Sequence, residues 1–192
     1  HIQIISNGGS LHERMGNMYS HGLGSIALCE AYAMSQDRAL LRPAQSSLNF
    51  IAWAQDEVGG GWRYQPGTPG DTSVLGWQVM ALRSGHMAYL AVPPATLVGV
   101  ERFLNGVQGN GGATFGYMSP PRNARDAQAT TAIGLLCRML LGIDRYDPGL
   151  QRGVELLSQW GPSESNMYYN YYATQVLHHY EGEEWKRWNT VM

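Results

Sequence analysis

Two kinds of apolar run alternate along the chain. The first kind is apolar nearly all round: HGLGSIALCEAYAMS from His21, DTSVLGWQVMALRSG from Asp71, TTAIGLLCRMLLGI from Thr130 and YYATQVLHHYEGE from Tyr171. A small residue recurs at one register in them: Gly24, Gly76, Gly134 and Ala173. Helices of that composition bury more than one side, so residues 21–35, 72–84, 130–142 and 171–181 are expected as a buried helical layer. The second kind is RPAQSSLNFIAWAQ, PPATLVGVERFLNGVQ and DPGLQRGVELLSQW. Each carries a proline, Pro43, Pro94 or Pro148, which suits a first helical turn because the missing N–H has no partner there. Asp147 is the expected N-cap of the third. Apolar positions then recur at helical spacing: Leu48, Ile51 and Trp53; Val100, Leu104 and Val107; Leu150, Val154 and Leu157. Polar residues fill the other face, so these helices are expected half-buried.

The pattern is therefore a buried helix, a turn, an amphipathic helix and a loop, repeated at a spacing of about fifty residues. Sustained two-residue alternation is absent, and the fold class is all-α. Hairpins stacked side by side in two layers satisfy one element covered on both sides and one facing water.

The links between hairpins repeat as well. Gln55 precedes Gly59-Gly60-Gly61-Trp62, and Gln108 precedes Gly111-Gly112, Phe115, Gly116 and Tyr117. The glycines end a helix and permit positive φ; the aromatic is expected to fold back and plug the gap between hairpins. Pro66-Gly67-Thr68-Pro69-Gly70 reads as a turn, after which Asp71, Thr72 or Ser73 caps the next buried helix. The third link, GPSESNMYYNYY, has aromatics without a glycine run.

Composition removes several function classes. The chain has 192 residues and a formal net charge of -2, with no basic stripe, so nucleic acid is not an expected partner. No apolar run approaches the length that spans a bilayer. No signal peptide is visible, and the polar start HIQIISNGGSLHERMGN reads as the cut end of a longer protein. Residues 1–18 are expected as linker or poorly structured chain, Ile2 to Ile5 as a cover for one end of the stack, and residues 1–192 as one domain or a fragment of one. Cys29 and Cys137 sit in apolar helical runs, which predicts buried free thiols, with a disulfide or a catalytic thiol as alternatives. No CxxC or HExxH pattern occurs; no metal and no cofactor are expected.

A glutamine followed by Gly-x-Trp at a helix end, in a tandem helical-hairpin repeat, resembles the QW motif of squalene–hopene and oxidosqualene cyclases. Gln55, Gly60, Gly61 and Trp62 match it best, with Gln108 and Phe115 as the second copy. GGGWRYQPGTPGDTSVLGWQVMAL and YYNYYATQVLHHYEGEEWKRWN are similar to prenyltransferase/squalene-oxidase-repeat proteins of planctomycete type. The resemblance runs from about Met18 to Met192. It implies an α/α toroid, a scaffold shared with protein prenyltransferases and complement-type thioester domains. Closed rings of that class have about five to seven hairpins. Three hairpins and one further buried helix imply an incomplete arc, about half a ring, with an apolar edge that promotes self-association.

On function the resemblance divides. Class II terpene cyclases protonate an alkene with Asp-x-Asp-Asp; the matching place here reads Pro69-Gly70-Asp71-Thr72, with glycine at the proton-donor position. Asp71 is either a helix cap or a remnant of that acid. The prenyltransferase zinc set of Asp, Cys and His is not reproduced by Asp71, Cys29, Cys137, His21, His178 or His179, and the thioester run Gly-Cys-Gly-Glu-Gln is missing. His21 is a histidine bonded to a neighbouring loop or, at the mouth of a toroid cavity, a ligand contact; Asp71 and His21 are the catalytic candidates. His178 and His179 diverge by about 100° on a helix, so at most one faces a cavity. Tyr168, Tyr169, Tyr171 and Tyr172 pack between hairpins or line an aromatic cavity that stabilises cationic or isoprenoid ligands. Trp77 is a further cavity candidate; with Trp185 and Trp188 it is otherwise core or edge closure. The role this implies first is non-catalytic: binding a hydrophobic or isoprenoid small molecule, or scaffolding another protein. The alternative is a terpenoid-cyclase-like or prenyltransferase-like enzyme acting on isoprenoids, its catalytic residues outside this chain.

Overall fold

The computed structural model describes residues 8–12 and 17–192. The Ile2 to Ile5 segment lies outside the described residues. The fold is all-α. The helices are α1 (Met18–Ser35), α2 (Arg38–Trp53), α3 (Thr72–Met87), α4 (Pro94–Val107), α5 (Gln128–Leu140), α6 (Pro148–Trp160), α7 (Met167–Tyr180) and α8 (Gly182–Val191). The strands among the described residues are two dipeptides, β1 (Gln108–Gly109) and β2 (Thr114–Phe115), paired antiparallel around the second glycine link. Two compact units make up the chain, His1–Phe103 and Leu104–Met192.

In the first unit α1 packs on α3 and α2, and α2 also touches α3. α3 is buried through its first three turns, from Thr72 to Leu82, apart from the half-buried Trp77 and Met80. α1 departs from the all-round burial expected of it. Its buried stripe is Met18, His21, Gly22, Ser25 and Cys29, while Leu23 is 47% and Met34 85% exposed. α2 corrects the sequence reading twice. It starts upstream of the proline, because Asp37 caps it by accepting from Ala39 N at 2.9 Å; Pro43 therefore lies in the second turn with its ring buried. Trp53 is 71% exposed. It stands five residues after Leu48, about 140° round the helix, whereas the buried stripe runs through Ala44, Leu48, Ile51 and Ala54.

In the second unit α5 packs on α7, on β2 and on α6, and α8 covers α7 and α6. α5 is fully buried from Thr131 to Cys137. α6 buries Leu150, Val154 and Leu157, as its periodicity predicts. Pro148 occupies its first turn, and Asp147 Oδ1 caps it by accepting from Leu150 N at 2.9 Å. Both cysteines are free and buried.

Candidate functional site

The first glycine link forms a clasp. Gln55, one residue beyond the C-cap of α2, directs Nε2 onto two carbonyls, Gly60 O at 2.8 Å and Thr96 O at 2.9 Å. It thereby ties its own loop to the first turn of α4. Two glycines make this possible. Gly60 has φ 79°, and a Cβ on Gly99 would lie 2.4 Å from Gln55 Nε2. Trp62 is wholly buried behind the clasp, its Nε1 donating to Ile51 O at 2.8 Å. Its backbone carbonyl accepts from Asp71 N at 2.9 Å, which locks the plug to the start of α3.

Asp71 is the residue that caps α3. It is fully buried; Oδ1 accepts from Val74 N at 2.9 Å and from Ser73 Oγ at 2.6 Å. Tyr19 OH donates to Ser73 Oγ at 2.6 Å, extending the chain of bonds to α1. Oδ2 faces Arg63 Nε at 3.7 Å, an ionic contact too long for a hydrogen bond. One residue upstream, Gly70 has no space for a side chain. A Cβ there would sit 2.6 Å from Gly61 Cα and 2.7 Å from Trp62 N.

His21 lies at the start of α1 and is wholly buried. Its Nδ1 accepts from Leu11 N at 3.1 Å and its Nε2 faces Ser47 O at 3.1 Å. Those partners fix the neutral tautomer with the proton on Nε2. Burial is the main force on this ring and pushes its pKa down to about 4; the Ser47 carbonyl opposes that shift, and nearby His12 adds to it. Trp77 is half-buried, its Cβ beneath Gly22 of α1. Gln78 was not singled out from the sequence, yet it is buried beside Trp77 and donates Nε2 to Met18 O at 2.8 Å. A lone amide in an apolar run was its signal.

The tyrosines of α7 belong to the second unit. Tyr169 and Tyr172 are fully buried, Tyr168 half-buried, and Tyr171 43% exposed. Tyr172 meets Tyr168 and Tyr171 edge-on at 5.2 and 5.1 Å between ring centroids, and Tyr169 meets Trp188 at 5.9 Å. Burial pushes both buried phenols up. Trp188 closes this cluster, donating Nε1 to Thr174 Oγ1 at 2.9 Å. His178 and His179 are both exposed, and the His178 ring stands edge-on to Trp185 at 5.0 Å. The tyrosines are thus brought together, while His178 is exposed and meets Trp185 of α8.

The second glycine link repeats the plug but not the clasp. Phe115 is buried against Gly134, where a Cβ would lie 2.2 Å from its ring. Its carbonyl accepts from Thr130 Oγ1 at 2.7 Å, as the Trp62 carbonyl accepts from Asp71. Gln108, however, presents Oε1 to Arg138 Nη2 at 3.2 Å. A cavity of about 380 Å³ opens here, lined by Gln108, Leu135, Arg138, Ile143, Asp147 and Leu150. Arg138 was missed by sequence reasoning, although a single charge within TTAIGLLCRMLLGI was a visible signal. A wider cleft of about 660 Å³ lies along the loop from Gly116 to Thr130.

Among the described residues no group of three or more His, Cys, Asp or Glu could hold a metal ion, and no helix is long and apolar enough to cross a membrane. No protein-family model, no curated protein and no solved structure matches the chain.

Proposed function

We propose that this chain is a non-catalytic module of the squalene-cyclase-repeat kind, an arc of helical hairpins that binds a ligand or scaffolds a protein partner. The crowding at Gly70 carries the reading. A proton-donating acid of the cyclase type would stand at this position, one residue before Asp71, and three backbone atoms of Gly61 and Trp62 fill the space its Cβ would need. The neighbouring polar groups are committed to structure. Asp71 caps a helix, and His21 joins Leu11 to Ser47. A general acid must reach the atom it protonates, and neither side chain has any exposed surface.

The test is to incubate the purified protein with squalene, and separately with farnesyl diphosphate and a cysteine-containing acceptor peptide, and to analyse products by mass spectrometry. The reading predicts no turnover in either arm. Turnover that disappears in Asp71→Asn would overturn it.

A further inference from the structure

The two glycine links differ at one point, and the difference opens a site. Aligning Pro94 with Pro148 places Thr96 opposite Leu150, and aligning Gly76 with Gly134 places Met80 opposite Arg138. In the first link Gln55 reaches Thr96 O and closes the gap between loop and helix. In the second, the corresponding Gln108 and Leu150 both line the 380 Å³ cavity. Gln108 meets Arg138 instead, a cation whose place in the first repeat is taken by Met80.

The cavity has a two-part lining. Leu135 and Leu150 are core residues and, with Ile143, give it an aliphatic wall. Arg138 supplies the charge. Its Nη2 donates to Asn105 Oδ1 at 2.5 Å as well as to Gln108, and its Cζ stands 6.0 Å from the centre of the Phe115 ring. The guanidinium is therefore held in place before any ligand arrives, which reduces the ordering cost of binding. Asp147, the acid in the lining, spends Oδ1 on the Leu150 N–H, and its charge sits at the positive end of α6. The fixed positive charge of the guanidinium attracts a carboxylate, and the volume falls within the range of small-ligand sites, about 300–1,000 Å³.

We propose that this cavity binds a small monocarboxylate with a short aliphatic body, the carboxylate on Arg138 and the body against Leu135, Ile143 and Leu150. The proposal deepens the binding reading and rests on it. The test is a titration of the isotopically labelled protein with hexanoate, and with hexanamide as the uncharged probe, followed by amide NMR shifts. Expected are saturable shifts at Gly111, Gly112 and the Gln108 side-chain amide, with hexanamide at least tenfold weaker. Arg138→Met, which installs the first repeat's residue, should weaken hexanoate at least tenfold, while Arg145→Met should leave it unchanged. If Arg138→Met does not fold, the comparison of the two probes on the unaltered protein stands alone. Equal affinity for hexanoate and hexanamide overturns the proposal, as does the absence of saturable shifts. Shifts confined to other residues overturn this site while leaving the binding reading in place.

Discussion

The His21 ring makes stability depend on pH in a calculable way. Its two nitrogens are both engaged in the neutral form, and protonation would put an N–H on Nδ1 against the Leu11 N–H that now donates to it. Folding lowers the pKa of the ring from its ordinary 6.5 to about 4. Between those values the unfolded chain binds the proton more readily than the folded one. Stability from this group is therefore complete above about pH 6.5, falls as pH drops from there towards 4, and changes no further below that. The full effect is about 3 kcal/mol, of which about 2 kcal/mol is lost between pH 7 and pH 5. Urea unfolding at those two pH values, on the protein and on His21→Asn, isolates the contribution. The difference in pH dependence between the two should be about 2 kcal/mol. Equal pH dependence, or an NMR titration placing His21 near its ordinary value, would refute the reasoning.

Trp62→Ala should cost about 3–5 kcal/mol in urea unfolding as a buried aromatic truncation. Trp62→Phe keeps most of the packing but loses the bond to Ile51 O, and should cost about 1–2 kcal/mol; an unchanged midpoint in both would contradict the plug. Gly70→Ala drives a Cβ into the Gly61–Trp62 backbone and should cost about 1–3 kcal/mol, whereas a neutral result would show that the acid position is not sterically closed. Burial pushes the Cys29 thiol up to about 12 and raises Cys137 as well. Neither should react with a disulfide exchange reagent in native buffer, and both should react in denaturant; rapid native labelling would count against their burial.

The helices were legible because their signals are local. The all-round apolar run of α3, the proline and aspartate opening α6, and the Gln-Gly-x-Trp punctuation each act within a turn or two, and the structure places helices and caps where they point. Errors arose where tertiary partners decide. α1 has the composition of a buried helix, but the helices packed on it leave Leu23 and Met34 exposed. Trp53 reads as part of the apolar stripe with Leu48 and Ile51, although its angular position carries it off the buried face. At the candidate site, Asp71 as a cap followed from its place before an apolar run. The bond from Leu11 to His21 spans ten residues, and no periodicity reports it. The open second link was invisible for a further reason. Gln55 and Gln108 occupy equivalent positions in the sequence, yet Gln55 bonds two carbonyls while Gln108 meets Arg138 on a different helix.

That divergence of two equivalent glutamines is the most direct point at which to test the account. Gln55→Ala removes the donor shared by Gly60 O and Thr96 O and leaves both part-buried carbonyls without it, at a cost of about 1–3 kcal/mol. Gln108→Ala removes a bond at the edge of a cavity that water can enter, at a cost of under about 1 kcal/mol. Urea unfolding of the two single variants measured side by side should therefore show the Gln55 variant clearly the less stable. Equal losses, or a larger loss at Gln108, would mean that the first link is not a closed clasp and the second not an open one.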